Sequence, residues 1–279
     1  MTSGMPDVRL AVVAVDGPAG SGKSSVSKGV ARVLGLRYLD TGAMYRAITL
    51  AVLRAGVALD DVDGIIDVAG GARLRSVTDP NAASIWLDDA DVSVDIRSAE
   101  VTGAVSAVSA VPQVRRLLVE LQRDAVRGAL AEGTGIVVEG RDIGSVVLPD
   151  ATAKIYLTAD PQVRAQRRAA EVTGVLAASP ASPVAAASVD AAVDVKAVQE
   201  SLAARDAKDS GRATSPLVMA EGAVEVDATH LTLDEVISAV SDLVRSAVAS
   251  TAGAHDAGIR ATDTRSTDTR STAQGGDDD

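Results

Sequence analysis

Residues 10–25 read Leu10-Ala-Val-Val-Ala-Val-Asp-Gly-Pro-Ala-Gly-Ser-Gly-Lys-Ser-Ser25, and this stretch decides the fold. Leu10–Val15 contains no polar residue, as expected of a strand covered on both faces. The segment Gly17-Pro-Ala-Gly-Ser-Gly22-Lys23-Ser24 has the spacing G-x-x-x-x-G-K-[ST], and a helical pattern occupies 22–34. Glycines let the backbone curl until its N–H groups point at phosphate oxygens, and the helix start adds the positive end of its dipole. The expected phosphate cradle is Gly17, Pro18, Ala19, Gly20, Ser21, Gly22, Lys23, Ser24 and Ser25. Lys23 is placed to reach the β- and γ-phosphates, and the Ser24 hydroxyl to ligate Mg²⁺ directly or through water. The bland alternative is an ordinary Gly-rich turn; strand, spacing and Lys-Ser together argue against it.

Outward from this loop, Leu36–Leu39, Ile136–Glu139, Lys154–Thr158 and Ala223–Asp227 read as four further strands. Helical patterns lie between them at 43–55, 112–131, 161–172 and 232–248, the last opened by a Thr232/Glu235 capping box. This alternation predicts an α/β fold with a five-stranded parallel sheet covered on both faces. Two stretches break the rhythm. Residues 72–77, 84–87 and 92–96, separated by turn signals at Thr78–Asn81 and Asp88–Asp91, predict a small antiparallel insert. Residues 174–193 are rich in Ala, Ser and Pro and predict a mobile loop. From Ser250 the chain has no hydrophobic period and predicts a disordered tail. The expected division is core with phosphate loop 1–62, insert 63–107, core 108–163, lid region 164–212, core 213–249 and tail 250–279.

Composition removes whole classes of function. No Cys and only two His, at 230 and 255, exclude disulfide scaffolds, Cys-zinc sites and thiol catalysis, and leave too few His for a His-rich metal site. The balance of 27 basic against 38 acidic residues gives −11 and argues against a nucleic-acid partner. With no Phe, one Trp and three Tyr, stacking of single-stranded bases is not expected. No apolar run reaches the ~20 residues a membrane span needs, and residues 1–9 lack the features of a signal peptide. A soluble cytoplasmic protein without a membrane partner is expected.

Among proteins with such a loop, a GTPase is disfavoured, because there is no Asn-Lys-x-Asp motif and no Asp-x-x-Gly at a strand end. The length leaves no room for a motor. A small-molecule kinase needs a second pocket that holds an acceptor in line with the γ-phosphate. Asp40-Thr-Gly-Ala-Met-Tyr-Arg46 and Gly140-Arg-Asp-Ile-Gly144 each follow a strand, at the edge where ligands sit in such sheets. Arg205-Asp-Ala-Lys-Asp-Ser-Gly-Arg212 mixes both charges beside the Ala/Ser/Pro stretch. Arg164, Arg167 and Arg168 share one helix face. Basic groups on a hinged segment suit a lid that neutralises charge and excludes water, although each cluster alone also fits a solvated face.

The segments DGPAGSGKSS, YLDTGAMYR, SAVSAVPQVRRLL, EGRDIGSVV, ADPQVRAQRR and RDAKDSGRATSPL, in this order from about Arg9 to Val244, resemble the bacterial cytidylate kinase family of nucleoside monophosphate kinases. The resemblance implies an adenylate-kinase-like core with an acceptor-binding insert and a lid. It implies Mg²⁺-dependent transfer from ATP to CMP or dCMP in pyrimidine metabolism; separately, a monomer is expected. It places Arg46, Arg141 and Arg212 around the acceptor phosphate, and Ser106, Arg115 and Asp142 at the cytosine edge. Arg205 and Asp209 fall near the ribose, Tyr45 beside the nucleotide and Thr41 where the family often has Ser. Lid residues Arg164 and Arg168 join Lys23 as the expected catalytic groups. Glu139 stands where the family often has Asp. Trp86 is expected to pack within the insert, and His230 and His255 to lie on the surface without a role. The rivals are a kinase for UMP or a non-nucleotide alcohol, and a regulatory or scaffolding protein that binds nucleotide without turnover.

Overall fold

Five short strands pair into one parallel sheet in the computed structural model, which describes residues 7–178, 194–212 and 216–263. Strand β1 (Val12–Asp16) leads through the phosphate loop into α1 (Lys23–Leu34), then β2 (Arg37–Asp40) and α2 (Thr41–Arg54). Helix α3 (Val62–Gly71) and strands β3 (Leu74–Val77), β4 (Ser84–Leu87) and β5 (Ala90–Asp91) follow, then α4 (Ala99–Val108) and α5 (Pro112–Ala131). The chain closes with β6 (Ile136–Glu139), β7 (Ala153–Thr158), α6 (Pro161–Ala178), α7 (Val195–Ser210), β8 (Val224–Asp227) and α8 (Leu233–Asp263). The parallel sheet has the order β2-β6-β1-β7-β8, and β3-β4-β5 form the separate antiparallel sheet. The expected architecture is therefore present: a five-stranded parallel core with helices and a small antiparallel insert.

Side-chain alternation splits the core into two layers. Ala14, Leu39, Ile136 and Val138 pack with Ile48, Ile65 and Leu118 of α2, α3 and α5. Val13, Val15, Val137, Ile155 and Leu157 pack with Val26 and Val30 of α1 and Val236 and Val240 of α8. Each such side chain contributes about 1.5–3 kcal/mol when fully buried, so the central strands form a rigid platform. Val15 is level with Glu139, and Glu139 with Asp40. The C-terminal ends of β2, β6 and β1 are thus aligned, and the loops that follow them emerge together at one edge.

The insert departs from the pattern in one respect. Its third strand is Ala90–Asp91, not 92–96. Val92 and Ile96 are buried while Val94 is exposed, a spacing of four that belongs to a turn of helix, and a short 3₁₀ turn spans Asp95–Arg97. Helices α3, α4 and α7 were not legible as helices, since α3 contains three glycines and α4 is built from small and β-branched residues. Helix α2 starts at Thr41, two residues before its apolar pattern, because Asp40 Oδ1 accepts the Ala43 N–H at 2.9 Å. Helix α6 continues to Ala178 and α8 to Asp263, so the expected mobile loop and the expected tail each begin within helix. Residues 179–193 and 264–279 lie outside the described residues. No helix among those described is long and apolar enough to cross a membrane.

Candidate active site

The loop after β1 is shaped by glycines at left-handed angles, Gly20 at φ 76° and Gly22 at φ 91°. Gly17 lies so near β7 that a Cβ there would stand 2.0 Å from the Leu157 carbonyl oxygen. Helix α1 begins at Lys23 without a side-chain cap, whereas Asp40, Ser98 and Asp194 cap α2, α4 and α7. Its first N–H groups are therefore left to an external acceptor, the condition for anion binding at a helix start. Lys23 Nζ donates to the Pro18 carbonyl at 2.7 Å, and Ser21 Oγ to the same oxygen at 3.1 Å. Desolvation and the neighbouring Arg141 push the Lys23 ammonium down from its ordinary range.

Three carboxylates line the strand ends beneath the loop. Glu139 is buried and accepts a hydrogen bond from the Tyr38 hydroxyl. Burial, then repulsion from Asp40, raises its carboxyl. Thr41 Oγ1 donates to the Glu139 carbonyl at 2.7 Å, which ties the start of α2 to β6. Asp16 accepts the N–H groups of Ile143 and Gly144, one on each oxygen, both at 2.8 Å. It thereby fixes the loop that carries Arg141 and Asp142.

Beyond the loop, basic side chains from α2, α5, α6 and α7 converge. Arg115 and Asp142 form a buried pair at 2.5 Å, and Arg115 also donates to the Ser109 carbonyl at 3.2 Å. The Tyr45 ring lies 5.4 Å from the Arg115 guanidinium. Asp209, fully buried on α7, pairs with Arg212 and with Arg141 Nε at 3.2 Å. Arg141 reaches back to the Gly17 carbonyl at 2.6 Å, which joins the acceptor side to the phosphate loop. Arg46 donates to Thr102 Oγ1 at 2.9 Å. Burial first, and then repulsion from Arg205 and Arg168, lowers Arg46 to about 9. Burial and Arg141 likewise lower Arg205 to about 10. A buried cluster that repels itself in this way gains most from an anionic ligand.

The family model described as cytidylate kinase matches residues 13–246. A cytidylate kinase from Streptomyces avermitilis is 49% identical over 243 residues, covering 87% of this chain and 96% of that protein. One from Streptomyces griseus is 52% identical over 233 residues, covering 84% and 92%. The chain belongs to the cytidylate kinase family. A third relative, the cytidylate kinase of Mycobacterium avium, is 50% identical over 235 residues, covering 84% and 95%. Among solved structures, a sugar kinase from Janibacter matches with a TM-score of 0.41 at 12% identity over 85% of this chain and 98% of that one. That likeness is too loose to add to the assignment.

In this cytidylate kinase family member the structure brings Lys23, Arg141, Arg164, Arg205, Asp209 and Arg212 into one cluster, with Thr41, Tyr45, Arg46, Arg115 and Asp142 beside it. Arg168 turns instead to Glu171 at 2.9 Å, while its neighbour Arg167 donates to the Ser21 and Ala228 carbonyls at 3.4 and 2.7 Å. Ser106 is half-buried and offers its carbonyl to Ser109 Oγ at 3.3 Å. Ser109 is the hydroxyl that accepts Arg212 Nη2, at 3.1 Å. Ser25 is exposed. Sequence reasoning missed Asp16, Tyr38 and Ser109. Only Asp16 carried a signal, as a carboxylate at the tip of an otherwise apolar strand.

Asp16 has a consequence for stability. Burial, and to a smaller extent the Asp142 charge, raises it from 3.8 to about 6 despite its two N–H bonds. Between about pH 4 and 6 the folded chain holds a proton that the unfolded chain has released, so stability falls as pH rises through that window. A shift of this size corresponds to about 2–4 kcal/mol. Asp16→Asn removes this part of the slope, while the contribution of Glu139 stays in both proteins. Denaturant unfolding across the window is expected to show a flatter profile for Asp16→Asn, and parallel profiles contradict it.

Proposed function

We propose that this chain transfers the γ-phosphoryl group of ATP to CMP or dCMP, giving ADP and CDP or dCDP, as a step of pyrimidine nucleotide metabolism. The observation that carries this reading is the buried Arg115–Asp142 pair, held at the acceptor side by Tyr45 and Ser109. One Asp142 oxygen is engaged by Arg115, which leaves acceptor capacity for the cytosine N4 amino group. Arg115, paired with Asp142, is the donor assigned to the N3 and O2 edge of cytosine. Uracil presents a carbonyl and an N–H where cytosine has an amine and an acceptor, so it meets like against like. Ser106 completes this edge in the family pattern, beside Ser109.

In the reaction an oxygen of the acceptor phosphate attacks Pγ. The new O–Pγ bond forms as the bond from Pγ to the β,γ-bridging oxygen breaks, and that oxygen leaves on ADP. The acceptor oxygen is already anionic, so no proton must be removed. Catalysis then rests on position and on charge neutralisation. Lys23 and the backbone N–H groups of the Gly17–Ser25 loop, other than at Pro18, hold the donor phosphates. Arg46, Arg141 and Arg212 hold the acceptor phosphate as forks that match its oxygens. Arg205 and Asp209 bind near the ribose, and Arg164 and Arg168 supply the lid charge.

The donor set suits Mg²⁺. The Ser24 hydroxyl, in the first turn of α1, and the Glu139 carboxylate, at the end of β6, are hard oxygen ligands. Ser24 and Glu139 would hold the ion together with the substrate phosphates. The chemistry such an ion would supply there is neutralisation of phosphate charge. A monomer is the proposed working form. A cytoplasmic location, where free nucleotides are found, completes the proposal, with no nucleic-acid or membrane partner.

An assay of ADP formation with ATP and a panel of CMP, dCMP, UMP and AMP tests the acceptor assignment. Turnover is expected with CMP and dCMP, and at least about tenfold lower kcat/KM with UMP. Equal turnover of UMP overturns the base assignment.

A further inference from the structure

Asp206, on α7, reaches across to the phosphate loop. Its Oδ1 accepts the Ala19 N–H at 3.1 Å, and its Oδ2 accepts Arg164 Nη1 at 2.5 Å. The same Arg164 nitrogen donates to the Ala19 carbonyl at 3.0 Å. Arg141 Nη1 stands 4.0 Å from Asp206 Oδ1. The Ala19 side chain packs on Ala165 of α6 and Leu202 of α7, and a Cβ on Gly20 would come within 2.7 Å of the Arg164 carbonyl oxygen. Loop, α6 and α7 therefore meet at Ala19, with the α7 carboxylate bonded to the loop and to α6. To an arginine and a backbone N–H, a carboxylate offers the same oxygens as a phosphate. Around it Arg164 Nε and Arg205 Nε are buried without a hydrogen-bond partner among the described residues.

We propose that Asp206 is a positioning residue that serves as an internal counter-anion, holding Arg164 and α7 against the phosphate loop and yielding them to the phosphates of an incoming nucleotide. The proposal rests on the kinase reading in one respect, that the natural ligand of the loop is a polyphosphate. Its consequence has two opposite signs. Without the Asp206 charge the arginines repel one another uncompensated, so the free protein is less stable. The same loss removes a competitor for Arg164 and a repulsion of the ligand, so an anion binds more tightly. A merely structural carboxylate would weaken both.

The test is calorimetric binding of inorganic tripolyphosphate, together with melting of the free protein, for the wild type, Asp206→Asn and Asp206→Glu. Asp206→Asn keeps the shape and is expected to bind tripolyphosphate about tenfold more tightly while its free form melts at a lower temperature. Asp206→Glu keeps the charge and should remain near the wild type in affinity. Should Asp206→Asn not fold, Asp206→Ser is read in its place with the same expectation. Wild-type binding that the neutral variant leaves unchanged or weakens overturns the role of Asp206 alone. No tripolyphosphate binding by the wild type overturns the phosphate-loop reading, and the counter-anion with it.

Discussion

Lys23→Ala is expected to lower kcat with ATP and CMP by about 10²–10³-fold and to leave the melting temperature of the free protein nearly unchanged. The two halves of this expectation have one cause. In the free chain Lys23 Nζ bonds oxygens of its own loop, Pro18 O at 2.7 Å and Ser21 Oγ at 3.5 Å. That arrangement carries a desolvated ammonium close to Arg141, and both effects oppose the charge. Removing the side chain therefore sacrifices little stability. During transfer, negative charge gathers on the β,γ-bridging oxygen, and a preorganised cation there is worth far more than in water. Steady-state kinetics with a parallel thermal melt separates the effects. A loss of less than about tenfold would mean that the loop glycines and α1 carry the donor phosphates without Lys23.

Asp142→Ala is expected to act on stability and on base choice together. Its partner Arg115 is buried, so deleting the carboxylate leaves a guanidinium without its counter-charge, at a cost of about 3–5 kcal/mol. The site also loses the acceptor assigned to cytosine N4. The kcat/KM for CMP should fall by about 10–100-fold, while that for UMP falls much less, so the preference for CMP largely disappears. Denaturant unfolding measures the first effect and competition between CMP and UMP, at a temperature where both proteins are folded, the second. A variant with lower stability but an unchanged CMP/UMP ratio would keep the ion pair as a structural feature and remove Asp142 from base recognition.

The parts of this molecule that sequence made legible are those encoded over short range. Strands β1 and β6 appear as apolar runs because both faces of the sheet are covered there, whereas β7 alternates, with Ala153, Ile155 and Leu157 buried. The phosphate loop is visible because its glycines, Lys23 and Ser24 must occur at fixed spacing. What was not legible depends on contacts distant in sequence. Asp16 bonds residues 143 and 144, Tyr38 bonds Glu139, and Asp206 bonds Ala19; no local pattern encodes such a pairing. The third strand of the insert was misread for a different reason. Val92-Ser-Val-Asp-Ile96 alternates in composition, yet Val94 faces outward and the burial repeats every four residues. Local composition allowed both periods, and packing selected the second. In the acceptor pocket Arg115 pairs with Asp142 and Arg212 with Asp209, while Arg168 pairs with Glu171 and Arg167 bonds the phosphate loop.

The central claim is that the phosphoryl group moves from ATP directly to the acceptor phosphate of CMP. Its most direct test follows the label from γ-labelled ATP after incubation with the chain, Mg²⁺ and CMP. The label should appear in the β-phosphate of CDP in step with ADP formation, and not without CMP. Label released as inorganic phosphate, or retained in ATP despite measurable nucleotide binding, would contradict the assignment.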